Sequence, residues 1–363
     1  MTLPPRPPSA SASQPGAAPA ACFDAAARAL AASNVQDLLT LALEHGPQQP
    51  ALVVGDLDSE LNLVLAAAYR AALPRAQWID FGAVEPAVVL AAFRQLAPGS
   101  LVVLIQTTSF RLEAFRLRIE LFKLGLKVIE HVHLARMPGP VQGLAYIEAL
   151  AYDPAYFRGV GQALKARIDR ARGGLLDSGE GALLRLGSPF EDAKLNVGDY
   201  RQMKNTGGQF PIGEVFTEAR ELEAVNGEVR IFVFGDTAFL VNKPERPITL
   251  IVEAGRVVAT RDSTPEFDAV LALIRACEGE VWLRELGFGL NRAFSRERLV
   301  DDIGTYERMC GLHLSLGAKH GSYAKPQFRR KDTRYHVDVF AITEALYLDD
   351  ERVFEDGAWT VGL

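Results

Sequence analysis

Cysteine is scarce in this chain. The three residues, Cys22, Cys277 and Cys310, are too few and too widely spaced for a disulfide framework or a zinc ribbon. A reducing compartment is expected, with each thiol a small buried hydrophobe. Long apolar runs are missing as well: no uninterrupted stretch reaches the about 20 residues of a membrane-spanning helix. The N-terminus lacks a basic segment followed by an apolar core, so no secretory signal is read and a cytoplasmic protein is expected. Positive charge is also short. The net charge is −6, and the one compact basic run, Arg329-Arg330-Lys331, reads as a solvated loop. No nucleic acid or membrane partner is expected.

The chain has 363 residues, 48% hydrophobic and 23% charged, an ordinary globular balance with room for two domains. Residues 1–21 are Pro, Ala and Ser with one charge, and read as a disordered tail. FDAAARALAASN then begins an Ala-rich helix. From residue 51 strands and helices alternate: ALVVGD (51–56), SELNLVLAAAYRAAL (59–73), AQWIDFG (76–82), EPAVVLAAFRQLA (85–97), SLVVLIQT (100–107), RLEAFRLRIELFKLG (111–125) and LKVIEHVH (126–133). Fully apolar strands between amphipathic helices imply a Rossmann-like parallel sheet covered on both faces. The dinucleotide signature needs G-x-G-x-x-G after the first strand, and GDLDSE stands there instead, so this layer reads as scaffold. A connecting helix is predicted over 151–172. Beyond it the texture is β-rich, as in EVRIFVFGD, ITLIVEAGRVVAT and EVWLRELGFG. The expected architecture is α/β: a Rossmann-like domain over 22–175 and a β-rich α+β, metal-binding catalytic domain over 176–363.

The chemistry-bearing residues gather in the second half. In RYHVDVF (334–340), His336 and Asp338 stand two apart on a predicted strand and share a face, which offers a metal one nitrogen and one oxygen. His313 lies on the apolar strand of GLHLSLGAKHGSYAK (311–325), and a Gly-containing turn folds His320 back toward the strand end. Glu214 in GGQFPIGEVFTEA and Glu285 in VWLRELGFGLN sit in apolar surroundings where a carboxylate needs a partner. The plain alternatives are a loop carboxylate for Glu214 and an Arg284–Glu285 ion pair. Taken as a metal set, Glu214, Glu285 and Asp338 carry three negative charges. Two divalent cations and one hydroxide then bring the site to neutrality. Carboxylates with imidazoles suit zinc, cobalt or manganese, and two such ions sharing a water do hydrolytic chemistry. A second pair, His131 and His133, ends the last parallel strand, where such sheets present functional groups to the cleft between domains.

The order GGQFPIGEVFTEA, ELGFGLN, GLHLSLG and His-x-Asp, over roughly residues 195–350, resembles the aminopeptidase T (leucyl aminopeptidase) family of metallopeptidases. The resemblance implies a two-metal exopeptidase, often a homodimer, that releases N-terminal residues from peptides. Glu214, Glu285, His313, His336 and Asp338 match the family's metal ligands. The family's sixth ligand is a tyrosine seven residues after His313, and this chain has His320 there. Glu214 or Glu285 could instead shuttle protons. The superfamily also includes 2,5-dihydroxypyridine dioxygenase, a mononuclear iron enzyme similar to this chain in the terminal His-x-Asp, the GFGLN turn and LYLDDERV (346–353). That branch implies one Fe(II), held here by two histidines and one carboxylate, in an oxygenase or tailoring enzyme. A third alternative is a non-catalytic binding protein on the same fold.

Overall fold

The computed structural model describes residues 23–110, 112, 117–329 and 331–362. The 1–21 tail, Cys22, Arg330 and part of the 111–125 helix lie outside the described residues. Strands Ala51–Gly55, Leu101–Ile105 and Lys127–His131 pair in parallel, with Gln77–Asp80 at the edge. Both faces of these strands are apolar, so the period-2 alternation feeds two cores. Leu52, Val54, Val102, Leu104 and Val128 pack under Val89, Phe93 and Leu121. Val53, Val103 and Ile105 face Leu61, Leu65 and Tyr69 from the helix Glu60–Ala72. That helix begins where Ser59 accepts the Asn62 N–H, which satisfies one of the unpaired donors of its first turn.

A fifth strand comes from the second half of the chain: Gly207–Gln209 runs parallel to Lys127–His131. Only glycine fits its first position, because a Cβ on Gly207, at φ +100°, would stand 1.9 Å from the Val128 carbonyl oxygen. The predicted helix over 151–172 forms as Pro154–Ile168, capped by Asp153. Among the described residues the β-rich half is one curled antiparallel sheet of 14 strands. Four of its neighbours in order are Glu214–Glu218, Leu283–Gly289, Gly311–Leu316 and Val337–Ala341. The middle two are buried at every position, since the sheet is covered on both sides. The architecture is thus the expected one, a parallel α/β layer joined to a β-rich layer. No helix among the described residues is long and apolar enough to cross a membrane.

Candidate metal centre

Strand register brings the predicted residues to one face. Gly287 stands opposite His313, Gly289 opposite Glu214, and Ser315 opposite Asp338. Residues directly opposite share a face, as do residues two apart. Glu214, Glu285, His313 and Asp338 therefore project from four adjacent strands onto the same side. Gly287 makes the room: a Cβ there would meet His313 Cε1 at 1.9 Å and Nε2 at 2.1 Å, so the imidazole lies across the strand where a side chain would be.

Among the described residues, ligand-type atoms of Glu214, Glu285 and His313 lie within 4.8 Å of one another. His313 Nε2 is 3.4 Å from Glu214 Oε1 and 3.6 Å from Glu285 Oε1. Glu285 turns its other oxygen, Oε2, to His320 Nε2 at 2.9 Å. His336 Nε2 and Asp338 Oδ1 are 3.0 Å apart, and the His320 and His336 ring centroids 6.0 Å. The six predicted residues thus form a three-residue cluster with a second group beside it, linked through Glu285. His336 sits one residue before its strand rather than on it.

The surroundings fix these side chains. Ser315 Oγ accepts the Glu285 backbone N–H. His336 Nδ1 donates to the Lys319 carbonyl at 3.2 Å, so Nε2 is the nitrogen facing Asp338: it is protonated in the charged ring and becomes the ligand atom where a metal displaces that proton. His320 has the opposite assignment: Ser322 N–H donates to Nδ1 at 3.1 Å, so the neutral ring carries its proton on Nε2, toward Glu285. Two buried atoms in the set that can face a cation, His313 Nε2 and Asp338 Oδ1, have no aligned hydrogen-bond partner. Buried polar atoms are rarely left so. Orphaned nitrogen and oxygen donors converging on paired carboxylates fit a divalent cation.

Charge crowding acts on every group. Burial pushes the Glu214 carboxyl up, against the pull of Arg308 and His313. Burial acts upward on Glu285 too, but the His313 and His320 imidazoles beside it prevail and hold it well below the usual carboxylate range. Asp338 is held low by His336 against the effect of burial. Burial would lower His313 and His336, yet the facing carboxylates outweigh it: Glu285 and Glu214 raise His313 to about 9, and Asp338 raises His336 to about 10. In the metal-free protein both rings are therefore imidazolium at neutral pH. Both pKa values lie above the unfolded 6.5, so this stabilisation is complete below pH 6.5 and disappears as pH rises through about 9 to 10. Metal-free protein should lose melting temperature across that window. Protein loaded with metal, which must displace those protons, should not. Parallel melting series with and without chelator would check this, and identical slopes would refute it.

Three further groups belong to the site, and sequence reasoning missed them. Arg308, 7% exposed, donates to Glu214 Oε2 and to Glu307 Oε2, each at 2.7 Å. Burial, with Asp338 and Glu214 nearby and Arg308 opposing, lifts Glu307 to about 8. Nothing in the local pattern around Glu307-Arg308 marks either residue. Gly287 is visible in ELGFGLN only as one of two glycines. Other polar residues do not join the cluster. Arg284 pairs with Glu218, not Glu285. Tyr323 donates to the Asp192 and Phe216 carbonyls, and its ring centroid is 4.9 Å from that of His320. Arg201 is exposed on Asp199. His131 and His133 part company: His131 is buried between the Tyr69 and Tyr146 hydroxyls, and His133 leaves the strand in a left-handed conformation.

No known protein-family profile and no curated protein sequence matches this chain. Solved structures do. The chain shares its fold with two enzymes. The 2,5-dihydroxypyridine dioxygenase of Pseudomonas putida KT2440 superposes with a TM-score of 0.61 at 15% identity, over 92% of this chain and 97% of that one. Wild-type AmpT of Thermus thermophilus superposes with a TM-score of 0.57 at 14% identity, over 92% of this chain and 100% of that one. At such identities the likeness is one of fold.

Proposed function

We propose that this protein is a metal-dependent hydrolase acting on peptides with a free amino terminus. The observation that carries the reading is the posture of Glu285, whose two oxygens face separate imidazoles, His313 on one side and His320 on the other. A carboxylate placed this way can serve two ions. Glu214, Glu285 and His313 would hold one, and Glu285, His336 and Asp338 the other. When bound, such ions supply a water of lowered pKa and polarise a carbonyl. Arg308 holds one oxygen of Glu214 and leaves the other toward His313, which makes Glu214 a ligand and not a proton carrier. The proton-carrying groups are then His320, through Nε2, and Glu307, protonated at neutral pH. The peptide substrate class rests on the resemblance and on the AmpT fold.

A second reading has its own support. His320, His336 and Asp338 are two histidines and one carboxylate, the set that suits a single non-haem iron, and the dioxygenase shares the fold. Against it stands the Ser322 N–H on His320 Nδ1, which puts the proton on the nitrogen an iron would need. Elemental analysis of anaerobically purified protein separates the two. We expect about two zinc, cobalt or manganese ions per chain and cleavage of aminoacyl anilides. Glu285→Gln should bind fewer ions, at least about 10²-fold more weakly. His320→Ala should keep its metal and lose turnover. About one iron per chain with oxygen uptake would replace the hydrolase with the oxygenase, and no bound metal would sink both.

A further inference from the structure

A second constellation stands at the carboxyl ends of the parallel strands, formed by residues that the candidate metal centre does not use. The loop after Leu101–Ile105 carries Ser109, and the turn after the adjacent strand Lys127–His131 carries His133. Ser109 Oγ is 2.8 Å from His133 Nε2. His133 Nδ1 is 2.9 Å from Asp302 Oδ1. We infer that Ser109, His133 and Asp302 form a nucleophile relay, and that the protein has a second, metal-independent acyl-transfer site for small activated esters.

The connectivity is the one such relays require: hydroxyl to one ring nitrogen, buried carboxylate to the other. Exposure is graded to match. Ser109 is exposed, the His133 side chain is 25% exposed and that of Asp302 1%. The acid is held from every side. Its Oδ2 accepts the Thr305 N–H at 3.0 Å and the Thr305 hydroxyl at 2.8 Å, and its Oδ1 also receives Arg136 Nη1 at 3.0 Å. Capping the short helix Ile303–Tyr306 accounts for Oδ2 alone. It does not account for an imidazole on Oδ1, nor for a hydroxyl on the far side of that imidazole. The imidazole is fixed by its backbone as well, since His133 adopts φ 55° and its N–H donates to the Thr108 carbonyl in the serine's own loop. A non-glycine residue held there is over-determined by its surroundings, a feature common at functional positions.

Position in the sheet supports the reading. The strand order is 77–80, 51–55, 101–105, 127–131, so the chain reverses direction between Ala51–Gly55 and Leu101–Ile105. Open α/β sheets bind ligands at the crevice outside the carboxyl ends of the strands beside such a reversal. The Ser109 loop leaves one of those two strands. The same loop holds Gln106, which is buried, accepts the Phe110 N–H through Oε1 and has Nε2 without a hydrogen-bond partner.

The step balances with an ester and water alone. Ser109 Oγ forms a bond to the carbonyl carbon and its proton passes to His133 Nε2. The leaving alkoxide takes that proton as its bond to carbon breaks, leaving an acyl ester on Ser109. Water then adds to the acyl carbon, giving a proton to Nε2, and the proton returns to Oγ as the carboxylic acid departs.

A fluorophosphonate probe with intact-mass and peptide-mapping readout tests this on the full chain, both metal-loaded and chelated. Wild type should gain one adduct, on Ser109, at the same rate in both states. Ser109→Ala, which removes one exposed hydroxyl, should gain none. His133→Ala should label about 10²-fold or more slowly, with part of the rate restored by added imidazole. Asp302→Asn keeps a capping oxygen and should also slow labelling, whereas a purely structural role would leave the rate alone. Wild type that stays unlabelled at Ser109 while giving a native circular-dichroism spectrum would overturn the proposal. So would Ser109 labelling that survives unchanged in folded His133→Ala.

Discussion

Gly287→Ala should abolish metal binding at the proposed centre while leaving the fold in place. The added methyl would lie 1.9 Å from His313 Cε1 and 2.1 Å from Nε2, well inside contact distance for a rigid ring. The ring cannot bend, so it must swing off the strand, and Nε2 leaves its position 3.4 Å from Glu214 and 3.6 Å from Glu285. The backbone can accept alanine, because Gly287 is not among the residues at positive φ. Overpacking of this kind costs about 1–3 kcal/mol, a loss that a large domain survives. Metal affinity should fall by at least about 10²-fold, since a ligand is displaced outright and even supporting residues are worth 10- to 100-fold. Elemental analysis and a denaturant titration on the same preparation would show this. Full metal content in Gly287→Ala would place the ion away from His313.

Period and composition carried much of the architecture in the sequence. Apolar strands alternating with amphipathic helices over 51–133 were legible as a two-faced parallel sheet because each strand feeds two cores, Val53 to one side and Val54 to the other. The strand Gly207–Gln209 was not legible. Three residues with two glycines have no period, and the pairing with Lys127–His131 spans almost 80 positions of chain. The same contrast runs through the candidate site. Glu214, Glu285, His313 and Asp338 stood out because polar groups in apolar strands need partners, and register then set them on one face. Arg308 and Glu307 gave no such signal. They are an adjacent acid and base directly after a four-residue helix, a pattern that reads as a surface pair, and only the tertiary fold buries them against Glu214. Ser109, His133 and Asp302 come from three separate segments, so no local spacing could join them.

Arg284→Met should be the most destabilising single change in the β-rich layer. Arg284 is 2% exposed, and Nε and Nη2 each donate to Glu218 at 2.9 Å, while Glu218 is fully buried. Lys325 stands further off, at 3.5 Å. Removing one partner of such a pair leaves an uncompensated buried charge and costs about 3–5 kcal/mol. Burial already pushes the Glu218 carboxyl up against the pull of Arg284, His320 and Lys325. With Arg284 gone, Glu218 would rise further and escape its penalty by taking up a proton. A raised carboxylate stabilises less as pH rises, so the defect should deepen from acid to neutral pH. Adding Glu218→Leu should recover most of the stability, because hydrophobic replacement of a buried pair is often neutral or better. Activity should not recover with it. Arg284 also donates to the Ala318 and Tyr323 carbonyls, at 2.5 and 3.1 Å, and so pins both ends of the loop that carries His320. A double variant that regains its denaturation midpoint yet stays inactive would separate the arginine's two roles. A double variant that regains both would show that the His320 loop holds its position without Arg284.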